Sequence, residues 1–556
     1  MLLATFLAAF GVAAVTAQQP TVTIKNGTVR GIGLPQFSQS IFLGIPYAQP
    51  PVGDLRLRPP RSINASFGTL DATAYSPHCW SAFTTGFDDN SGFPNSEDCL
   101  TLNVIRPTGV SEKSPVPVVV WIHGGGLVRL THSQADFRYN GSWIVEASIS
   151  NGHPIVFVSI NYRLASLGFL GGKALQDEGS LNLGVRDQRL ALHWVQENIA
   201  QFGGDPTRVT IQGESSQSGA TSVHAQIIAF AGRDDKLFHQ AIAESGTGGG
   251  NFSLATSAAS QKTFNNLIAN TSCASTANGT EEQQLACIRA LPIDEFRENS
   301  VGGTGLVFDG DFINVPGFFQ AYKDGQWVRV AFIVGSNTDE GRSFSALGAN
   351  TTAQAAALLN APAAAQMPLL ALYPDVPGLG CPFETGDLQP AGSPPGTQNK
   401  RVAAANGDIV MAAGPRWLAQ QISSQVPFFK YRFNHVPWNT SFAPIDYISH
   451  FLEVSYVFNL QNDDIAFWVT NHFTATFLGA GAPIADRFLG SYMAASWAAF
   501  IATGDPNNAN IASKIHWPKY SEQAANMVWQ TQGSMVEQDN FREEGMQFII
   551  DHVFFP

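Results

Sequence analysis

Residues 209–226 read VTIQGESSQSGATSVHAQ and join a short apolar run to a Gly-x-Ser turn. The apolar run at 209–211 predicts a buried strand, and a strand that runs into Gly-x-Ser is typical of a strained turn that presents a serine hydroxyl. In such a turn the residues two positions before and two positions after the serine come close together, so both must be small. Gly213 meets this requirement for Ser215, but Gln217 does not. The stretch therefore predicts a nucleophile turn with unusual spacing.

Apolar runs separated by helical patterns predict an α/β fold. Five runs have the character of buried parallel strands, and longer helical patterns, such as 185–199, lie between them. The runs are Val116–Ile122, 155–160, 209–211, 332–334 and Phe428–Phe433. This alternation is typical of a mostly parallel sheet with helices on its faces. Residues 345–400, rich in Ala, Pro and Gly, predict a helical excursion above the sheet and a long loop.

The composition is globular and excludes some classes of partner. The chain has 556 residues, of which 44% are hydrophobic, and its formal net charge is −13. Nucleic acids and anionic membranes are bound through clustered Lys and Arg, and the sequence contains no basic run. We therefore expect no nucleic-acid partner. The sequence does not indicate an oligomeric state.

The first residues predict secretion. Residues 1–17, MLLATFLAAFGVAAVTA, are apolar and uncharged and end in small residues, as secretory signal peptides do. A membrane anchor is the alternative reading, but the run is short for a bilayer span and polar Gln18 follows it at once. We therefore expect a secreted chain with no stable membrane insertion. No repeat or linker divides the remainder, so residues 18–556 are expected to form a single domain.

Cysteines and glycosylation sequons agree with an extracellular chain. In a secreted protein, five cysteines favour two disulfides and one free thiol. Short loops favour Cys79–Cys99 and Cys273–Cys287, which leaves Cys381, although sequence alone does not fix the pairing. Eight N-x-S/T sequons predict a glycoprotein. They begin at Asn26, Asn64, Asn140, Asn251, Asn270, Asn278, Asn350 and Asn439.

Three further stretches carry the groups that a serine nucleophile needs. His123-Gly124-Gly125-Gly126 follows a strand-like run, and successive glycine N–H groups can hold the negative oxygen of a tetrahedral intermediate. Glu340 also follows a strand-like run, where a carboxylate can orient a histidine. His450 comes late, which gives the nucleophile–acid–base order of α/β-hydrolases. Each stretch also has an ordinary reading, as a glycine turn, a solvated turn or a structural histidine, and order alone does not select His450 among twelve histidines.

The chain resembles the type-B carboxylesterase/lipase family over most of residues 20–545. FLGIPYAQPPVGDLRLRPP (42–60) matches the family opening, and SEDCLTLNV (96–104) resembles one of its signature patterns. Further stretches follow in the family's order. They are HGGG (123–126), NYRLASLGFL (161–170), LGVRDQRLALHWVQENIAQFGGDP (183–206), LFHQAIAESG (237–246), NTDEG (337–341), HFLEVSYVF (450–458), GDPN (504–507) and HWPKY (516–520).

This resemblance implies a fold and a set of residue roles. The fold is an α/β-hydrolase with a mostly parallel central sheet flanked by helices and with helical insertions over the active site. Ser215 aligns with the nucleophile, Glu340 with the acid and His450 with the general base. The oxyanion donors are implied to be the N–H groups of Gly125, Gly126 and Ser216. Ser245 aligns with a serine near the acid, and the family's two disulfides correspond to Cys79–Cys99 and Cys273–Cys287.

The implied activity is that of a secreted serine carboxylic-ester hydrolase. It would act on a small-molecule ester through an acyl-enzyme and would require no metal or organic cofactor. The loop closed by Cys79 and Cys99 is short for a lipase lid, which favours soluble or small esters over emulsified fat. The alternative is a catalytically impaired or non-catalytic binding protein on the same fold, since fold does not guarantee function.

The spacing of the nucleophile turn departs from the family pattern. Counted back from 221–223, the nucleophile position falls on Gln217, so the two flanks are out of step by two residues. The additional pair can bulge out after Ser215. Alternatively Ser218 can serve, because its neighbours at minus and plus two, Ser216 and Ala220, are small. The third hypothesis is that a misplaced splice acceptor site added two codons in gene prediction.

Overall fold

The structure is a computed structural model. This structure describes residues 19–80, 94–127, 137–248, 250–300, 302–387, 394–438, 447–461, 478–479 and 481–555. The predicted signal peptide at residues 1–17 lies outside the described residues.

An eleven-stranded sheet forms the centre of the described chain. In strand Val116–Ile122, Val118, Val120 and Ile122 belong to one hydrophobic core, whereas Val119 and Trp121 belong to another. Successive side chains of a strand point to opposite faces, so a continuously apolar strand is one that is buried on both faces. The apolar runs of the sequence therefore form the middle of the sheet.

The central strands are parallel and the edges are antiparallel. Seven neighbouring strands, from Ala525–Trp529 to Val156–Ile160, run parallel to one another. From one edge to the other, the strands are Met535–Gln538, Ala525–Trp529, Phe428–Phe433, Ala331–Asn337, Gln240–Glu244, Gly204–Glu214, Val116–Ile122, Val156–Ile160, Thr101–Pro107, Gln39–Pro46 and Ile32–Leu34.

Smaller strand groups lie outside this sheet. Thr21–Ile24, Gly27–Arg30 and Gly68–Asp71 form a three-stranded sheet. His78–Cys79 pairs with Asn95–Ser96, and Ser253–Leu254 pairs with Val307–Phe308.

Helices cover both faces of the central sheet. Helix Ala220–Gly232 contributes Val223 and Ile227 to one core, and helix Ile484–Thr503 contributes Met493 and Trp497 to the other. The remaining α-helices are Ser142–Ser150, Ala165–Phe169, Lys173–Glu178, Leu183–Asn198, Ala258–Ala269, Glu281–Ala290, Ile293–Asn299, Phe318–Lys323, Thr352–Ala357, Ala363–Ala371, Asn399–Gly407, Ala413–Ile422, Val454–Val457, Tyr520–Gln523 and Glu543–Ile549. Short π-helical segments occur at Ser215–Gly219, Asp408–Ala412 and Ile550–Phe554.

The predicted elements are present with small shifts in their bounds. Val116–Ile122 and Phe428–Phe433 have the predicted limits, and strand Gly204–Glu214 extends beyond 209–211 at both ends. Strand Gln240–Glu244, in the middle of the sheet, was not predicted, because polar residues at both ends leave an apolar run of only three residues. The described part of region 345–400 contains the short α-helices Thr352–Ala357 and Ala363–Ala371, the 3-10 turn Pro377–Leu379 and the start of helix Asn399–Gly407, and residues 388–393 of its loop lie outside the described residues.

Both predicted disulfides are present. Cys79 is bonded to Cys99 and Cys273 to Cys287, and Cys381 is a buried free thiol.

Candidate active site

The predicted site residues meet at one edge of the central sheet. Strands Val116–Ile122, Gly204–Glu214 and Ala331–Asn337 are parallel, so their carboxyl ends lie at the same edge. The His-Gly-Gly-Gly stretch, Ser215 and Glu340 each follow one of these strands directly or within a few residues. In open α/β sheets, ligands bind at this edge. The topology therefore brings together residues that are far apart in sequence.

The nucleophile turn keeps its two close-approach glycines but is two residues longer than the family spacing. A Cβ on Gly213 would lie 2.5 Å from the Gly219 carbonyl oxygen, and a Cβ on Gly219 would lie 2.5 Å from the carbonyl oxygens of Glu214 and Ile122. The two glycines therefore touch, although six positions rather than four separate them. Between them the chain forms a π-helical turn, in which the Ala220 N–H donates to the Ser215 carbonyl.

Ser215 begins this turn in a strained conformation. Its φ is 85°, in the left-handed region that non-glycine residues seldom adopt, whereas Glu214 before it is extended. Such strain is common where a backbone must aim a functional side chain. Ser215 therefore occupies the sharp bend at the end of the strand.

His450 is held between two carboxylates. Its Nδ1 is 2.8 Å from Glu340 Oε2, in a hydrogen bond that fixes the ring. Its Nε2 lies 3.1 Å from Glu214 Oε1. Within the described residues, no hydrogen bond joins His450 to Ser215, Ser216 or Ser218. The predicted acid and base are thus together, but the nitrogen that would take a serine proton faces a carboxylate.

The two carboxylates change the protonation of His450. Burial alone would lower its pKa, but the charges of Glu214 and Glu340, with the hydrogen bond that His450 donates to Glu340, raise the pKa of His450 to about 9. Burial holds the pKa of Glu214 well above its ordinary value, while the imidazolium opposes this shift. The imidazolium form is favoured at neutral pH, so little of the free base is present.

The three serines of the turn lie in different surroundings. The Ser215 hydroxyl has no hydrogen-bond partner among the described residues, and Ser215 is 6% exposed. Ser216 lines an adjoining cavity and packs against Gly246, where an added Cβ would lie 2.2 Å from the Ser216 Cβ. Ser218 is fully buried, and its Oγ would be 3.5 Å from a Cβ on Gly124. Ser215 and Ser216 are therefore the serines that can meet a ligand without a rearrangement of the turn.

The glycine stretch adopts a backbone conformation that requires glycine. Gly125 and Gly126 have φ of 111° and 72°, which L side chains rarely adopt. The Tyr162 hydroxyl donates to the His123 carbonyl at 2.7 Å and anchors the start of the loop. A Cβ on Gly124 would lie 2.9 Å from Glu214 Oε2, so only glycine leaves room for that carboxylate.

Two further buried acids, Glu453 and Glu244, lie near Glu214 and His450. Ser245 donates to Glu453 Oε1 at 3.2 Å, and Asn337 links the group by donating its side-chain amide to Glu453 and its backbone N–H to Glu340. Burial and the charge of Glu340 raise the pKa of Glu453. Burial, with the charge of Glu453, raises the pKa of Glu244 to about 8.

A cavity of about 410 Å³ opens beside the turn and the glycine loop. It is lined by small and apolar residues, with a few polar side chains. Among them are Gly126, Leu127, Ser216, Phe252, Leu306 and Phe318. Such a pocket suits an apolar acyl or alcohol group.

Sequence reasoning missed three residues of this site. Glu214 is the variable residue of Gly-x-Ser, and Glu453 lies in the stretch HFLEVSYVF, three residues after His450. Glu244 lies in AIAESG, just before Ser245. A charged residue directly beside an apolar run was the signal that could have found the last two, since Glu244 ends strand Gln240–Glu244 and Glu453 precedes helix Val454–Val457.

The described residues offer neither a metal site nor a membrane span. No group of three or more His, Cys, Asp or Glu side chains there is arranged to hold a metal ion. Within the same ranges, no helix combines the length and the apolar character that a membrane crossing needs.

Comparison with known proteins identifies the family. The sequence profile of the carboxylesterase family matches residues 18–549. Lipase 4 of Diutina rugosa is 33% identical over 95% of this chain and 95% of its own, and secreted lipase 1 of Botryotinia fuckeliana is 32% identical over 96% and 93%. Aspergillus niger EstA, at 25% identity, superposes with a TM-score of 0.79 over 96% of this chain and 99% of its own. These matches confirm the predicted α/β-hydrolase fold, and the chain belongs to the carboxylesterase family of carboxylic ester hydrolases.

Proposed function

We propose that this chain hydrolyses carboxylic esters through an acyl-enzyme on Ser215, with His450 as general base and Glu340 as the acid that orients it. The hydrogen bond between His450 Nδ1 and Glu340 carries the proposal, because it holds the ring at the edge of the sheet where Ser215 begins its turn. The pair lies with the glycine loop and the apolar cavity, which together provide the parts of an acyl-transfer site.

The reaction uses groups of this chain alone. His450 takes the proton of the Ser215 hydroxyl as the oxygen attacks the ester carbonyl. The N–H groups of Gly125, Gly126 and Ser216 stabilise the negative oxygen that forms, a type of contact that is typically worth about 10²–10³ in rate. His450 then gives its proton to the leaving alcohol, and water, deprotonated by the same ring, releases the carboxylic acid and restores the serine.

The longer turn lowers the rate of this reaction in our proposal. His450 Nε2 faces Glu214 instead of a serine hydroxyl, and its raised pKa keeps it protonated near neutral pH. A turn with two additional residues also moves the N–H of Ser216, the third oxyanion donor. The acid, the base and the glycine loop keep their relation to one another, so a small rearrangement of the turn can restore the contact.

We place the protein outside the cell and assign it a small-molecule ester substrate. Two relatives are named as lipases, one of them as a secreted lipase, and the sequence begins with a signal-like segment. The glycosylation sequons agree with passage through the secretory pathway. The loop that favours soluble or small esters includes residues 81–93, which lie outside the described residues.

One observation favours a second function. Because His450 Nε2 contacts Glu214, His450 has no serine partner among the described residues. A non-catalytic binding protein on this fold does not need a contact between histidine and serine. Labelling by a fluorophosphonate probe separates the two functions. A secreted, folded protein that takes up no label at any pH up to about 10 supports the binding function.

Turnover of p-nitrophenyl butyrate tests the role of each serine. Ser215→Ala is expected to abolish turnover and labelling, whereas exposed Ser62→Ala serves as a control that leaves both unchanged. Full activity in Ser215→Ala would remove Ser215 from the mechanism. Loss of activity in Ser218→Ala, with a native melting temperature, would then assign the reaction to Ser218.

A further inference from the structure

The cavity beside the reacting centre ends at a glycosylation sequon. Asn251, Phe252 and Ser253 form part of its wall, and Gly126 and Ser216 line the same cavity. Asn251-Phe252-Ser253 is one of the sequons of the chain. An acceptor for a bulky modification and the groups that hold the reacting ester therefore share one space.

The side chain of Asn251 is available for modification. Asn251 is exposed, and its Oδ1 faces Gly317, where an added Cβ would lie 2.9 Å away. Its amide nitrogen has no acceptor among the described residues. Asn26 differs, because it is buried and its amide nitrogen donates to two carbonyls at 3.2 Å. A glycan is compatible with the structure at Asn251 but not at Asn26.

The backbone below Asn251 is fixed in place. The Phe252 N–H donates to the Pro316 carbonyl at 2.8 Å, and the Phe252 ring packs on Phe318 with centroids 4.7 Å apart. The next residues pair with strand Val307–Phe308. A group attached to Asn251 thus starts from a rigid position at the rim of the cavity.

We propose that Asn251 carries an N-linked glycan that narrows the outer part of this cavity and disfavours esters with long chains. In the secretory pathway, the amide nitrogen bonds to the anomeric carbon of a lipid-diphosphate-linked oligosaccharide, the lipid diphosphate leaves and one amide proton is released. The effect on selectivity rests on the proposed ester hydrolysis, whereas the occupancy of Asn251 does not.

Occupancy is tested on the full chain secreted from a eukaryotic host. Glycopeptide mass spectrometry is expected to find glycan on Asn251 in the parent and in Ser253→Thr, which keeps the sequon. Asn251→Gln and Ser253→Ala are expected to lose it. Exposed Asn64→Gln, a sequon away from the cavity, is the matched control that retains glycan on Asn251. An unmodified Asn251 in the secreted parent would overturn the proposal.

Selectivity is tested as the ratio of kcat/KM for p-nitrophenyl dodecanoate to that for the butyrate. Each methylene buried in an apolar site contributes about fourfold. Without the glycan, two more methylenes of the dodecanoyl chain should contact the cavity wall. The ratio should therefore rise by roughly tenfold or more in Asn251→Gln and in Ser253→Ala. Asn64→Gln, which lies away from the cavity, should keep the parent ratio.

Binding of decanoate separates this proposal from the proposed catalysis. Titration calorimetry measures its affinity without turnover, and the two variants that lack the sequon should bind it more tightly than the parent does. Equal affinity in all variants, together with equal ratios where turnover is measurable, would show that the glycan leaves the cavity open and would overturn the proposal.

Discussion

Shortening the nucleophile turn by two residues should activate the enzyme. Deletion of Ser216 and Gln217 joins Ser215 to Ser218-Gly219 and restores Gly-x-Ser-x-Gly. Gly213 and Gly219 are already in contact. The deletion therefore shortens the chain segment between the two glycines and leaves both glycines in place. We expect Ser215 to replace Glu214 beside His450 Nε2, and the N–H after Ser215 to face the glycine loop.

The size of the gain follows from the contacts that the parent lacks. A positioned general base contributes about 10²–10⁴ in rate, and one oxyanion donor about 10²–10³. Groups that act as a unit are not additive, so the two factors cannot be multiplied. We expect kcat/KM to rise by about 10²–10⁴, which corresponds to roughly 2.7–5.4 kcal/mol of transition-state stabilisation.

The assay compares three proteins on p-nitrophenyl butyrate, with the rate of fluorophosphonate labelling as a second readout. Gln217→Gly is the matched control, because it places a glycine two residues after Ser215 but keeps the turn long. If turn length is the cause, Gln217→Gly stays slow and the deletion variant is fast. Equal kcat/KM in parent and deletion variant, both with native circular dichroism and cooperative melting, would refute the reasoning.

Four further outcomes are expected, two at the turn and His450, one at a disulfide and one in the transcript. In Glu214→Gln, loss of the carboxylate charge should lower the apparent pKa of His450 from about 9, so the ascending limb of the pH–kcat/KM profile should move to lower pH; an unmoved limb contradicts the assignment. Gly219→Ala should lower the free energy of unfolding by about 1–3 kcal/mol, because its Cβ would meet two carbonyl oxygens at 2.5 Å, whereas Gly33→Ala, which meets nothing within 4 Å, should not show this loss in urea denaturation. Replacing Cys273 and Cys287 together by Ala opens a loop with a sequence separation of 14 and should cost about 3 kcal/mol, measured as a lower melting temperature; no change would show that the loop is held by packing alone. A cDNA read across codons 212–222 is expected to lack two codons, and a transcript that retains both would reject the splice hypothesis.

The sequence predicts those parts of the structure that depend on local pattern. Continuous apolar runs predict strands buried on both faces, and parallel strands place the following residues at one edge. The local pattern placed the His-Gly-Gly-Gly stretch, Ser215 and Glu340 each after a strand, whereas the resemblance to the family implied that they share one site. The short separations of the cysteines favoured the two disulfides for a similar reason, since near neighbours in sequence meet easily.

The contacts of the base could not be predicted in the same way. Which group faces His450 Nε2 depends on side-chain directions within a turn of unusual length, and no periodicity describes such a turn. Glu453 lies three residues after His450. Its hydrogen bonds with Ser245 and Asn337 join three segments that are distant in sequence. Residue spacing carries no information on contacts of this kind until the fold is known.

The fold also explains why the two additional residues remain in the turn. Gly213 is in register with Ile122 of the neighbouring strand, so a shift of the strand would break the ladder on both of its sides. A shift of helix Ala220–Gly232 by two residues would rotate its core-facing Val223 and Ile227 by about 200°. Both shifts would break many buried apolar contacts, whereas a wider π-helical turn breaks few such contacts. The excess length is therefore confined to the turn Ser215–Gly219, between a strand and a helix that are both held by their buried contacts.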